Sequence, residues 1–480
     1  MSGNLRTQVL QGGTYLVLRR ASAILLNLLN IFVLTKVLGL GGYGLYAAAI
    51  VIYGYASNLS QLGVSVYLIR QETVSPDDFH QTFTLCALLS VIGAAGGIVA
   101  LPLIANLTNI EGLAPVLFSM ILALPLTLAA ATPAAILERG LNYKQLTVTD
   151  LFGQIVFSVV GLSLVWLSGS IWGVIIGWWL QQITVTFLLF KRASYRPRLR
   201  WNLTKIKRML AYGFSFSLSL WIWQAKDLVN PLLVGHYAGA EGVGIVALTI
   251  RLAQALSFIK DATWRLSIAA FAHIQNDSVK LLAAVKEGMF LQILALGPIL
   301  VFFNWIGVLI LPRFFSQDAA QILNLFPFIA LGFLVNGAFN MHSAALYVRS
   351  QNRAVANFHL VYIILFAGLT ALAVPQIGIT GYGLAELAAL PAYAVIYLAV
   401  RHNVGDFSHS QALLMLAAFA LALLTHYLGW WAGLGLLVLP FSSHIRRDTM
   451  KILKIVWSQI GFAKYLKFAA GYMQKKREAN

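Results

Sequence analysis

The chain has 480 residues, of which 59% are hydrophobic and only 10% charged, with a formal net charge of +18 at pH 7. Soluble domains carry about 25% charged residues, so this composition excludes one. A single cysteine, Cys86, excludes an internal disulfide and any thiolate metal cluster.

The apolar runs are long enough to cross a bilayer, which takes about 20 residues each. They are too long, too numerous and too rich in Leu, Ile, Ala and Gly to be barrel strands. Fourteen spans are predicted, at 14–38, 43–68, 81–107, 113–137, 147–168, 171–190, 210–235, 243–268, 287–311, 323–347, 357–375, 380–400, 411–428 and 430–444. The first follows Met1–Gly13 directly and carries Arg19 and Arg20, so it reads as a true span and not as a cleaved signal. With the N-terminus in the cytoplasm, 26 of the 34 Lys/Arg fall in cytoplasmic segments and two, Lys36 and Arg313, fall outside. Six (Arg19, Arg20, Lys226, Arg251, Lys260 and Arg265) lie within spans. The basic charge is therefore a topology label under the positive-inside rule, and no nucleic-acid partner is expected.

The chain also repeats itself at an offset of 200 residues. Asn27-Leu28-x-Asn30, Gly39, Gly42, Gly44, Ala47 and Ile50 are echoed by Asp227-Leu228-x-Asn230, Gly239, Gly242, Gly244, Ala247 and Ile250, with seven of 24 positions identical. Arg139-x-x-Asn142 returns as Arg349-x-x-Asn352. The expected architecture is all-α: two parallel six-helix half-repeats, 1–190 and 210–400, joined by a basic cytoplasmic linker at 191–209 around a central cavity. Two additional helices follow at 401–444, and a basic amphipathic tail at 445–480 is expected to lie on the inner leaflet. Paired halves around one axis are how many secondary transporters build a central site. Gly429-Trp430-Trp431 leaves open a re-entrant bend in place of the last crossing.

Several segments resemble the polysaccharide transporter family, the lipid-linked oligosaccharide flippases of the multidrug/oligosaccharidyl-lipid/polysaccharide exporter superfamily. They are Leu38-Gly39…Tyr43-Gly44-Leu45-Tyr46, Leu62-Gly63, Leu141-Asn142-Tyr143-Lys144, Tyr195-Arg196-Pro197 and Ala270-Phe271-Ala272-x-Ile274-Gln275-x-Asp277. Their order within a two-half architecture carries the resemblance, with the central and eighth-span segments nearest the colanic-acid and O-antigen type. The resemblance implies a bacterial inner-membrane protein with both termini cytoplasmic. It implies flipping of an undecaprenyl-diphosphate-linked sugar repeat for surface polysaccharide assembly, with other polysaccharide assembly proteins as further partners and no cofactor. Arg19, Arg20 and the Lys226-Asp227 pair are departures from what every member would carry.

Within the spans, six cations face three anions, Asp227, Asp261 and Glu386. Charges there are costly, about 2.5–3.5 kcal/mol each at mid-span, and the cationic excess suits an anionic ligand. Arg251 lies about 12 Å in from the outer end of the eighth span, with Gln254, Asp261 and Arg265 within about 80° of it and Lys260 facing away. A guanidinium fork matches a diphosphate, so Arg251 and Gln254 are candidate ligands; a structural ion pair with Asp227 is the other reading. Lys226, Asp227 and Pro231 share the seventh span. Pro231 frees the carbonyl of Asp227, making it a candidate proton or sodium site, with Glu386 as a second, unless Lys226 or Arg251 simply neutralises Asp227. Arg19 and Asn30 lie within about 20° of each other on the first span with Ser22 and Asn27 flanking; this stripe and the neighbouring Arg20 are candidates to meet the substrate, unless Arg19 and Arg20 simply snorkel to the inner surface. Asn336 and Asn340 are candidates for sugar hydroxyls, against the plainer role of interhelical contacts. Gly39–Gly44 matches G-x-G-x-x-G, but it follows a membrane helix, so a tight turn explains it better than a dinucleotide.

Two other functions compete. A drug/cation antiporter of the same superfamily wants an acidic cavity, and this one is basic. A membrane glycosyltransferase or glycan polymerase wants an acidic catalytic loop, and the outer loops hold only the isolated Glu111, Glu241 and Asp318. Membrane potential and cation antiport both remain open as the drive.

Overall fold

The computed structural model describes residues 2–450, apart from 72, 316–317, 443–444 and 448–449, with side chains from 24 onward except at 25, 70, 215–216, 219, 261–262, 265 and 269. The tail beyond residue 450 and the side chains of Arg19, Arg20, Asp261 and Arg265 thus lie outside the described residues.

Among the described residues the regular structure is helical, with no strand. Its first half comprises α1 (Ser2–Gln61), α2 (Val64–Arg70), α3 (Pro76–Thr108), α4 (Leu113–Ile121), α5 (Leu124–Ala129), α6 (Ala131–Arg139), α7 (Tyr143–Val156), α8 (Leu162–Ser168) and α9 (Ile171–Arg192). The second comprises α10 (Leu203–Ala225), α11 (Gly235–Leu256), α12 (Phe258–Ile274), α13 (Ser278–Phe315), α14 (Ala319–Val348), α15 (Asn352–Ile377), α16 (Thr380–Ala389) and α17 (Tyr393–Asn403). Three short helices close the described chain: α18 (Ser410–Leu423), α19 (Thr425–Leu428) and α20 (Val438–Phe441).

Ten helical stretches are long and apolar enough to cross a membrane, which makes this a multi-pass membrane protein. Two of them, Leu26–Gln61 and Leu220–Leu256, contain a sharp break in the backbone. At Gly39 (φ 71°, ψ 178°) and Gly239 (φ 63°, ψ −166°) the chain leaves helical geometry entirely, in a region essentially reserved for glycine. Each stretch therefore holds two of the predicted spans, folded back at twin positions of the repeat. The outer surface is apolar, as in Val99 (80% exposed) and Leu167 (82% exposed), which only a lipid environment tolerates on this scale. At the other extreme is α14, with 72% of its apolar window buried against 6% for α3, so α14 runs through the interior and α3 along the periphery.

Local chemistry sets the ends. Ser75 caps α3 in a reciprocal box: its hydroxyl accepts from the Asp78 amide, while Asp78 Oδ2 accepts from the Ser75 amide at 2.9 Å. Asn202 Oδ1 accepts from the Lys205 amide at 3.2 Å and starts α10. Between α10 and α11 the helix loosens into a 3-10 turn (Lys226–Leu228) and a π turn (Asn230–Val234) around Pro231, which has no amide proton to donate. Near the C-terminus the chain swings round at Gly429 (φ 91°) into a 3-10 segment, Trp430–Leu437, and α20. Residues 430–441 reach only about 22 Å at these rises, short of the ~30 Å hydrocarbon core.

A candidate transport site between the halves

The two glycine turns of the repeat pack against each other across the middle of the molecule. A side-chain carbon added at Gly44 would lie 1.8 Å from the carbonyl oxygen of Ala240, and one added at Gly244 would lie 2.2 Å from that of Leu40. Positions 40 and 240, and 44 and 244, are twins at the 200-residue offset. The contact is therefore reciprocal and made of backbone on both sides, which only residues without a side chain permit. At this end of the bundle the halves are zipped shut.

Further along the same two helices the packing opens. Arg251, on α11 two turns beyond Gly244, is exposed and donates from Nη1 to Gln254 Oε1 at 3.0 Å. Its guanidinium lies beside the Tyr43 phenol of the other half. Asp227 is also exposed although it is set deep among the helices, within electrostatic reach of both Lys226 and Arg251. An accessible guanidinium and an accessible carboxylate, surrounded by protein, define a polar opening between the halves. Asn27, the twin of Asp227, is exposed as well.

Lys226 does not face this opening squarely. Its Nζ lies 2.7 Å from Glu386 Oε1, and the Glu386 side chain is 3% exposed. The ammonium sits over the rings of Tyr362 (5.1 Å), Phe366 (5.5 Å) and Trp223 (5.9 Å), while the Tyr362 hydroxyl donates to Glu386 at 3.4 Å. An aromatic cage plus a buried carboxylate satisfies this partly buried cation on several sides at once. Gly332 leaves room for the acid: a side chain there would begin 2.5 Å from Glu386 Oε1. The two residues read from sequence as separate ligand and coupling groups are thus each other's partners.

Asn336 bridges two helices. It accepts from Lys260 Nζ at 2.9 Å and donates to the Tyr393 hydroxyl at 2.9 Å. Sequence reasoning set Lys260 aside as facing away from Arg251. It pairs instead with Asn336, and the helix is interrupted between the two cations at Ser257 (φ −98°, ψ 16°). Tyr393 also walls an apolar cavity of about 1170 Å3 between α14, the α16–α17 segment and α18, with Asp406, Ser408 and His409 at one end. His409 donates from Nδ1 to the Phe407 carbonyl at 2.8 Å and meets His342 Nε2 at 2.9 Å. This pair is 67 residues apart in sequence, and no local pattern announces it.

Asn30 stands apart from the opening. It and its twin Asn230 are each 6% exposed, and each leaves its Oδ1 without a partner. Asn230 Nδ2 donates to the Val243 carbonyl at 3.2 Å, tying the loosened turn to α11. Asn340 is half-buried on α14, one turn from Asn336. Among the described residues no group of three or more His, Cys, Asp or Glu is placed to hold a metal ion.

Residues 33–318 match the model of the polysaccharide biosynthesis protein family. The chain is similar to the lipopolysaccharide biosynthesis protein WzxC of Escherichia coli (strain K12), at 23% identity over 287 residues. That match takes in 58% of this chain and spans 57% of the relative's length. Among solved structures it is similar to the lipid II flippase MurJ in an inward closed conformation, with a TM-score of 0.72 and 16% identity over 90% of this chain and 100% of that one. It is also similar to an inward-facing multidrug resistance MATE family transporter of the MOP superfamily, with a TM-score of 0.58 and 15% identity over 79% of this chain and 94% of that one. The structural likenesses establish the fold, and the family match covers more than half of the sequence. The chain belongs to the polysaccharide biosynthesis protein family and has the fold of the MurJ and MATE transporters of the MOP superfamily.

Proposed function

We propose that this protein flips a polyprenyl-diphosphate-linked oligosaccharide repeat unit from the inner to the outer leaflet of the bacterial inner membrane, for assembly of O-antigen, exopolysaccharide or capsule. The observation that carries the proposal is the exposed Arg251 in a polar opening between halves that are zipped together at one end. A planar guanidinium in a low-dielectric setting favours a diphosphate. With both termini cytoplasmic, the glycine contact is the outer end and the opening faces the cytoplasm, where the lipid-linked sugar is made. The lobes 1–190 and 210–400 then rock about this opening by alternating access. The apolar cavity beside Tyr393 suits an isoprenoid chain, since it adjoins the bridge that ends at Lys260.

Two drives remain compatible with these residues. Moving two negative charges outward from a cytoplasm that is about 100 mV negative releases about 4–5 kcal/mol, enough to bias export without a coupled ion. A proton or sodium ion returning inward would use Asp227, the accessible carboxylate, because Glu386 is already held by Lys226.

The test is the glycolipid profile of a strain lacking the gene, read together with its surface polysaccharide. Loss of surface glycan with a completed repeat unit accumulating on polyprenyl diphosphate is the expected result. Accumulation of incomplete sugars would overturn it in favour of an enzyme. No change in either pool would mean a different cargo.

A further inference from the structure

The linker between the halves carries a surface that transport does not use. Residues 196–204 are all exposed, and 195–202 run without regular secondary structure between α9 and α10. Leu199, Trp201 and Leu203, the last of these opening α10, are 75%, 53% and 55% exposed, and Arg196, Arg198 and Arg200 stand beside them in the chain. The segment is not loose. The Arg200 amide donates to Thr84 Oγ1 at 2.9 Å, the Tyr195 hydroxyl donates to the Phe79 carbonyl at 3.2 Å, and Lys205 Nζ lies 2.6 Å from Asp78 Oδ1. Three anchors on α3 thus hold a strap across the end of the bundle opposite the glycine turns. From 191 to 208 it has eight Lys/Arg and no acid.

We infer that residues 196–203 form an interfacial strap that binds anionic phospholipid: Leu199, Trp201 and Leu203 enter the acyl boundary while Arg196 and Arg198 take the headgroups. Large apolar side chains more than half exposed on an anchored segment have no reason to stand in water, and tryptophan is at home at the headgroup level. Basic residues next to them match the charge of a leaflet rich in acidic lipid. Because both ends of the strap continue into helices of different halves, lipid held there would bear on the link between them. This inference does not depend on the cargo and would survive a failure of the flippase reading.

Cys86 is the sole cysteine, so a Cys86→Ala background allows single spin labels in the full-length protein. Labels at Leu199→Cys, Trp201→Cys and, for comparison, Arg198→Cys would be read in vesicles of phosphatidylcholine with and without phosphatidylglycerol. The expected result is preferential collision with oxygen at 199 and 201, preferential collision with an aqueous nickel chelate at 198, and deeper readings when phosphatidylglycerol is present. A double Arg196→Gln/Arg198→Gln variant should lower phosphatidylglycerol enrichment around the protein by roughly five-fold per arginine removed. Equal access of the nickel chelate to 199, 201 and 198 would overturn the proposal, by placing the strap in water or against a protein partner. Depth unaffected by lipid charge, with unaltered enrichment in the double variant, would overturn the anionic-lipid assignment.

Discussion

Gly44→Ala should push the two halves apart at the end that carries the glycine turns. The new methyl would start 1.8 Å from the Ala240 carbonyl oxygen and 2.7 Å from the Gly244 nitrogen. Both obstacles are backbone, so no side-chain rotation relieves them. Ordinary contact begins at 3.4 Å, so the helices must part locally by 1.6 Å or more. Overpacking of this kind costs about 1–3 kcal/mol, which shifts an open–closed balance by about 5- to 150-fold toward open. The assay is the rate at which an impermeant thiol reagent modifies Ala47→Cys in a Cys86→Ala background. Ala47 is 7% exposed and lies one turn from Gly44. Vesicles of both orientations identify the side from which the site opens. Gly54→Ala is the control, because a carbon added there meets nothing within 4 Å. Labelling should rise at least several-fold in Gly44→Ala, and glycan export should fall, while Gly54→Ala changes neither. Equal labelling in the two variants, at equal thermal stability, would refute the glycine contact as a gate.

Three further outcomes follow from the geometry. Arg251→Ala should lower export by about 10- to 100-fold at equal membrane insertion, the worth of one charge-assisted hydrogen bond, with Arg251→Lys recovering part of it; normal surface glycan in the alanine variant would remove Arg251 from the site. Lys226→Met strands Glu386 and should cost about 3–5 kcal/mol in a detergent unfolding assay, most of which Glu386→Gln should restore in the double variant. Burial holds the His409 imidazole pKa below its usual value of 6.5. The unfolded chain then takes up the proton first, so this contribution to stability is complete above pH 6.5 and declines as pH falls toward the folded pKa. His409→Gln should flatten the dependence of the thermal midpoint on pH over that range, and an unchanged slope would locate the effect elsewhere.

Much of the architecture was legible in the sequence because membrane spans depend on local composition and the repeat on direct comparison. Gly39 and Gly239 were readable as turn residues, and their shared offset pointed to equivalent places. That the turns touch each other was not readable, since contact depends on how the halves dock. Asn27, Asp227 and Arg251 are exposed although each lies within an apolar helical stretch, which their polarity made legible. Lys260 and Asn336 meet across 76 residues, a contact that no local pattern signals. The Lys226–Glu386 pair joins positions 160 residues apart, and a single sequence holds no trace of such a partnership. Arg139 and Arg349 repeat in sequence and reach twin positions at the same 210-residue offset, but through different acceptors: Arg139 donates to the Leu68 carbonyl and Arg349 to Ser278 Oγ.

The glycine contact itself is backbone against backbone, with the ionisable pair Tyr43 and Arg251 beside it and not within it. Carbonyl oxygens of Leu40 and Ala240 face the α-carbons of Gly244 and Gly44, so what holds it is dispersion and weak C–H···O contact, each worth perhaps 0.5–1 kcal/mol. Ionic strength does not screen such forces, and acidity does not titrate them. A closure of this kind can stay equally tight in fresh water and in brine, and it can part quickly, because no ion pair has to be rehydrated before the helices separate.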